Sequence, residues 1–177
     1  MLDFNIHIHP LERKWIYAAS AVIGIFLGSI ILTALFGGIH PPGHMEVVDW
    51  SRLHLEGEFT EDKLGVKTEA DSSVHVTLVA ARYGFYPRDI EVPADTPITF
   101  RIASADVMHG MHAPMTNLST MVVPGYISTV KTQFPKPGEY PMLCNEYCGM
   151  GHDHMWSRMT VVSKESWNAA HPTPAGR

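Results

Sequence analysis

Cysteine is scarce in this chain: Cys144 and Cys148 are the only two in 177 residues. A disulfide framework is therefore excluded, because small stapled domains rely on several pairs. Basic residues are in deficit too, 13 Lys and Arg against 18 Asp and Glu, and they are scattered rather than gathered into a stripe. That distribution argues against a nucleic-acid partner, whose recognition draws on clustered cations at the phosphates. Internal repeats and low-complexity tracts are missing. With 45% apolar and 18% charged residues, the chain is nevertheless too apolar to be disordered.

Charge is missing altogether from Trp15 to Met45. Within that gap residues 15–36, WIYAASAVIGIFLGSIILTALF, are continuously hydrophobic. At ~1.5 Å per residue the run crosses the ~30 Å hydrocarbon core of a bilayer. The following GGIHPPG should stop the helix. A cleaved signal carries a shorter apolar run of ~7–15 residues and a small-x-small cleavage site, so a permanent anchor is the expectation. Arg13 and Lys14 precede the run and the next base is Arg52. The positive-inside rule then places residues 1–14 in the cytoplasm and the chain after Phe36 outside a single-pass cell membrane, with Trp15 and Tyr17 at the inner interface.

Residues 46–73 carry eight acids against three bases, with few apolar side chains, so 37–73 reads as a solvated acidic linker. From residue 74 to 162 the pattern becomes alternation with β-branched residues: VHVTLVAARY, DIEVP, PITFRIAS, STMVV, YISTVKTQF, GEYPML and MWSRMTVV. Turn signals YPRD, PAD, VPG and PKPG separate these runs, and helical periodicity is absent. Short strands at this spacing predict an all-β domain, an antiparallel β-sandwich or Greek-key barrel. Residues 163–177, ending HPTPAGR, read as a frayed tail.

Against that background CNEYCGMGHDHM, Cys144 to Met155, stands out, since it holds both cysteines, followed by two histidines and Met155, in one loop between two strands. A rigid scaffold with a short loop is how a metal site obtains preset geometry. A disulfide would leave His152 and Met155 unexplained. Zinc accepts Cys and His but rarely a thioether. A mononuclear blue-copper centre uses two His, one Cys and a weak Met, leaving one Cys surplus. Two copper ions bridged by both thiolates use every ligand, with one His each. The second imidazole must come from elsewhere, and DVMHGMHAP offers His109 or His112.

The pattern C-x-E-x-C-x-x-x-H-x-x-M at Cys144, Glu146, Cys148, His152 and Met155, preceded by D-V-x-H ending at His109, resembles the dinuclear copper (CuA) domain of cytochrome c oxidase subunit II. The resemblance implies a cupredoxin-like Greek-key β-sandwich for residues 74–162, with one N-terminal transmembrane helix. It also implies roles: Cys144 and Cys148 as bridging thiolates, His109 and His152 as terminal imidazoles, Met155 as a weak axial thioether, and the Glu146 carbonyl as the other weak ligand. His112 and His154 match no ligand position. The single helix, with DVMHGMHAPMTN, YGFYP and NEYCGMGH, is most similar to the subunit of B-type haem-copper oxidases. In the two-helix relatives the glutamate between the cysteines also faces a magnesium ion shared with subunit I, the further cofactor implied for Glu146.

By this resemblance the chain is the electron-accepting subunit of a proton-translocating cytochrome-c oxidase. It takes electrons from a c-type cytochrome at the dinuclear copper centre and passes them to the haem of subunit I. That partner carries the haems and a further copper, CuB, and reduces O2 to water; this chain relays electrons and does not itself reduce O2. The alternatives are the same module in a nitric oxide reductase, or a copper- or zinc-binding protein without an electron-transfer role. Residues 74–162 hold six bases and seven acids, so strong electrostatic steering of the donor is not expected. An apolar patch around the copper loops is the predicted docking surface, with Met111, Pro114, Met115 and Met150 as candidates.

Overall fold

A computed structural model describes residues 9–36, 45–69 and 71–171. Most of the predicted cytoplasmic segment 1–14, the GGIHPPG stop signal and the final HPTPAGR beyond His171 lie outside the described residues. The chain divides into two units, Met1–His44 and Met45–Arg177.

Among its described residues the first unit is one helix, α1, Pro10–Phe36. It begins ahead of the apolar run because Pro10 suits a first helical position, where its missing N–H costs nothing. His9 closes the start, its carbonyl accepting from Arg13 N at 3.0 Å and its Nδ1 from Leu11 N at 3.3 Å. No residue of the helix is buried. A helix apolar on all sides is stable in lipid or against other helices, and this one is long and apolar enough to cross a membrane. Two of its hydroxyls are satisfied within the helix, Ser29 donating to Phe26 O at 2.7 Å and Thr33 to Ser29 O at 2.8 Å, as a hydrocarbon environment favours.

The second unit is a β-sandwich. Its strands are β1 Glu46–Val47, β2 Gly65–Thr68, β3 Val74–Ala81, β4 Gly84–Tyr86, β5 Asp89–Pro93, β6 Ile98–Ser104, β7 His109–His112, β8 Ser119–Val122, β9 Tyr126–Thr132, β10 Gly138–Cys144 and β11 Trp156–Val162. One sheet runs β1-β9-β6-β3-β2 with β4 also on β3; the other runs β5-β11-β10-β7-β8. This is the cupredoxin-like sandwich expected, with one difference: β3 with β6 and β5 with β11 pair in parallel. The reason is topological, since β4 and β5 lie between β3 and β6 in sequence and β5 joins the opposite sheet, which returns the chain to β3 in the same direction.

Alternation builds the core. Val74, Val76, Leu78 and Ala80 of β3 point inward while their neighbours stay half-buried, the period of two that a sheet imposes. They meet Ile98, Phe100 and Ile102 of β6, Met142 of β10 and Met159 and Val161 of β11, all at most 2% exposed. Phe134 closes the far end edge-on to Phe100, ring centres 6.5 Å apart.

Two sequence readings need correction. Residues 46–68 are not a solvated linker: β1 pairs with β9, β2 pairs with β3, and Leu53 and Phe59 are each only 3% exposed against Ala103. Two apolar side chains suffice because the finished sheet supplies the rest of the surface in Val79, Ala105 and Ile127, which no local count can register. The acids have a partner as well. Arg101 of β6 donates to both Glu58 oxygens at 2.7 and 2.6 Å and to both oxygens of Glu46. The second correction concerns the tail, where Lys164–Ala170 forms a helix, α2, capped by the Ser163 hydroxyl at 3.2 Å from Ser166 N. Trp167 anchors it, 5% exposed and stacked on His171.

The Arg101 clamp has a pH signature. Hydrogen bonds and charge from Arg101 hold the Glu46 carboxyl below its ordinary value of 4.5. A depressed folded value means the contribution is present above pH 4.5 and is lost as pH falls through the lowered value. Protection of the Val48 amide, which donates to Gly125 O at 3.0 Å where β1 meets β9, should therefore keep its exchange slow near neutrality and be lost only below that range. Arg101→Gln should produce the fast exchange at neutral pH.

Candidate metal centre

The ligand loop is fixed by its strands. In the β10–β11 hairpin Leu143 faces Trp156, and Cys144 N donates to Met155 O at 3.1 Å, so residues 145–154 form a closed excursion. On the other side β10 pairs with β7, Cys144 facing Met111, and Asn145 N donates to Gly110 O at 3.0 Å. That register carries His109, one residue further, to the mouth of the loop. Gly110 permits the approach: a Cβ there would collide with Asn145 Oδ1 and lie 3.3 Å from Glu146 Cβ. At the loop's end a 3-10 turn, His152–His154, aims His152 back and ends at Met155.

All six predicted residues converge. The two sulfurs are 3.9 Å apart, and both thiols are free; a disulfide would require about 2.05 Å. Cys144 Sγ lies 3.9 Å from His109 Nδ1 and 3.2 Å from the Glu146 carbonyl oxygen. Cys148 Sγ lies 3.6 Å from His152 Nδ1 and 3.5 Å from Met155 Sδ. The cluster is mostly closed to water, with His109 at 0%, Met155 at 2% and Cys148 at 5% exposure. Burial, reinforced by the neighbouring Cys144 sulfur, pushes the Cys148 thiol up to about 11. A proton must leave this sulfur when a metal binds it.

Asp106 completes the surroundings. Its Oδ1 meets His109 Nε2 at 2.8 Å and accepts from Val107 N at 2.6 Å, while its Oδ2 accepts from Arg82 N at 2.9 Å. Burial works against the Asp106 charge, but the hydrogen bonds from His109, Val107 and Arg82 outweigh it and keep the carboxyl below its ordinary value. With Nε2 engaged by a carboxylate, Nδ1 is left to face the sulfurs, an arrangement typical of metal-bound histidine. The Asp-Val-x-His spacing carries this signal in the sequence, whereas the contribution of Arg82, 24 residues earlier, carries none.

Among the described residues, His112 and His154 stay apart from the cluster. His112 Nδ1 is buried without a hydrogen-bond partner among the described residues, and His154 is exposed beside Asp153. The Glu146 carboxylate makes no ion pair among the described residues. The predicted apolar patch requires correction. Met111 is fully buried, because β7 turns it inward with His109. Met115, 99% exposed, borders Pro135, Lys136 and Tyr140 instead of the cysteines. Beside the ligands the exposed apolar side chains are Met108, Tyr147, Met150 and Trp156.

The donor set fits a soft metal. Two thiols, two imidazole nitrogens, a thioether and a carbonyl converge on one site, where His109, Cys148 and Met155 are buried and Cys144, Glu146 and His152 half-buried, and His109, Cys144 and Cys148 alone place three ligand atoms within 4.8 Å of one another. Thiolate and thioether sulfur favour copper over the hard cations.

Comparison with known proteins agrees with this chemistry. The family model described as cytochrome c oxidase subunit II, periplasmic domain, matches residues 62–163. One cytochrome c oxidase subunit 2 of Thermus thermophilus is 36% identical over 156 residues, which cover 87% of this chain and 92% of that protein. A second cytochrome c oxidase subunit 2 from the same species is 40% identical over 128 residues, 72% of this chain and 93% of the relative. A chain from the cryo-EM structure of a heme-copper terminal oxidase dimer has the same fold, with a TM-score of 0.60 at 24% identity over 85% of this chain and 99% of that one.

Proposed function

Because the chain belongs to the cytochrome c oxidase subunit II family, we propose that His109, Cys144, Glu146, Cys148, His152 and Met155 hold two copper ions through which it receives electrons. The chain is the electron-accepting subunit of a haem-copper oxidase, part of an oxidoreductase complex. The reading of a dinuclear centre rests above all on two free sulfurs 3.9 Å apart with an imidazole nitrogen beside each. Copper held by both thiolates would supply one-electron carriage there, and a charge divided between two ions would keep structural change on reduction small.

The residues of the chain do the rest. Cys144 and Cys148 would give up their protons and hold both ions as thiolates. Asp106 presents His109 Nδ1, and the 3-10 turn presents His152. The Glu146 carbonyl and Met155 thioether would be the weak ligands, and burial of Met155 and Cys148 keeps water away. A magnesium ion at the subunit interface would engage the Glu146 carboxylate from the partner's side. Electrons arrive from a c-type cytochrome docked over Met108, Tyr147 and Met150, an apolar surface on a nearly neutral domain. They leave for the haem of subunit I. Arg13 and Lys14 keep the N-terminus in the cytoplasm, so the copper domain faces the outer side.

The test is metal analysis and low-temperature electron paramagnetic resonance of the full chain purified in detergent and loaded with copper. The expected result is two coppers per chain, a purple colour and hyperfine structure of more than four lines. A four-line spectrum, or zinc in place of copper, rejects the dinuclear reading.

A further inference from the structure

We propose that the turn joining β3 and β4, Arg82 and Tyr83, is the positioning element of the metal centre: it donates no ligand, yet it holds both ligand-bearing segments in place. The inference rests on the dinuclear reading above and extends it to residues outside the ligand set.

The turn touches each half of the site through a different residue. Arg82 acts on the His109 side, where its backbone N–H binds Asp106 Oδ2 at 2.9 Å and its guanidinium Nε lies 3.8 Å from the same oxygen. The other Asp106 oxygen is the one that meets His109. Tyr83 acts on the loop side, with its ring laid along the loop backbone between Cys148 and His152. A Cβ on Gly151 would come within 2.5 Å of Tyr83 Cδ2, and one on Gly149 within 2.8 Å of its hydroxyl oxygen. The ring root therefore sits on Gly151 and its tip on Gly149.

The two glycines differ in a way that isolates the ring's effect. Gly149 has φ +131°, so glycine is needed there for backbone and space alike. Gly151 has φ −97° and ψ 16°, a conformation open to any L residue. The three atoms nearest a side chain at 151 all belong to the Tyr83 ring. The turn can bear on the loop because both sheets hold it. Ala81 pairs with Gly84 within the β3–β4 hairpin. The Ser157 hydroxyl of β11 binds Phe85 twice, accepting from its N–H at 3.2 Å and donating to its carbonyl at 2.9 Å. Arg88 adds a bond to Tyr83 O at 3.4 Å.

The experiment compares Tyr83→Ala, Tyr83→Phe, Gly151→Ala and the double variant Tyr83→Ala/Gly151→Ala in the full chain loaded with copper. Copper retention against a chelator, the paramagnetic resonance spectrum and the reduction potential are the readouts. Gly151→Ala and Tyr83→Ala should each alter the spectrum and weaken copper retention about 10-fold, the lower end of what an outer group that orients ligands contributes. Tyr83→Phe should match the wild type. The double variant should be no worse than Tyr83→Ala alone, because the added methyl then meets no ring, a non-additivity expected of residues in contact. Additive losses in the double variant, or a wild-type spectrum and potential in Tyr83→Ala, overturn the proposal. Should Tyr83→Ala not fold, Tyr83→Leu carries the same expectation, since it keeps apolar bulk without a flat ring. Failure of the dinuclear reading would already appear in the wild-type spectrum, whereas failure of this inference appears only in the variants.

Discussion

Cys148→Ser should abolish the proposed dinuclear centre and, with it, electron transfer from the proposed c-type cytochrome donor to the oxidase. No other side chain of the cluster has so many sulfur and nitrogen neighbours: Cys144 Sγ at 3.9 Å, His152 Nδ1 at 3.6 Å and Met155 Sδ at 3.5 Å. A serine hydroxyl is hard and stays protonated at neutral pH, so it cannot serve as a shared, charge-delocalising bridge. The change is nearly isosteric, and the sheets are held by strand register far from the loop, so the chain should still fold. Copper content should fall from two to at most one per chain, with the purple colour gone and turnover reduced to background. A wild-type spectrum in this variant would remove the basis for assigning Cys148 as a bridge. Normal circular dichroism alongside lost copper would separate a missing ligand from a missing fold.

Asp106→Ala should have the next largest effect, although Asp106 touches no proposed metal. It removes the acceptor for His109 Nε2 at 2.8 Å, Val107 N at 2.6 Å and Arg82 N at 2.9 Å. His109 is fully buried, so its ring loses the one contact that sets which nitrogen faces the sulfurs. Loss of such an orienting carboxylate typically weakens metal binding by about 10–100-fold. The stranded donors add a folding cost of about 1–3 kcal/mol where they stay buried. Asp106→Asn keeps an acceptor oxygen but not the charge and should fall between. Chelator competition measures the first effect and thermal unfolding of the metal-free chain the second. Copper retention unchanged in Asp106→Ala would mean that packing alone orients His109.

Some elements are legible in the amino-acid order and others are not, for identifiable reasons. The membrane helix and the strands from residue 74 onward announce themselves through local periodicity. Within the site, Cys144, Glu146, Cys148, His152 and Met155 share one loop, so their spacing is itself the signal. Other features depend on surfaces made elsewhere. Leu53 and Phe59 look like isolated apolar residues in an acidic run until β6 and β9 give them something to cover. Glu46 and Glu58 look like solvated charge until Arg101 gathers them. Trp167 turns a supposed tail into a docked helix. Met111 reads as surface near a loop, yet the strand's alternation turns it into the core.

The kinds of chemistry available to this chain are written in its residue order: an uncharged run that suits lipid, alternation that builds a sandwich, and soft donors crowded at metal-ligand spacing. Those are local properties, carried by neighbours along the chain. Which distant groups complete the centre is a matter of folding alone. His109 stands beside Cys144 because β7 and β10 share a register. Asp106 is held by Arg82, and Gly151 is kept bare by the ring of Tyr83. Such contacts join residues far apart in sequence, and their geometry is set by the pairing of strands and the packing of two sheets, which exist only once the chain has folded.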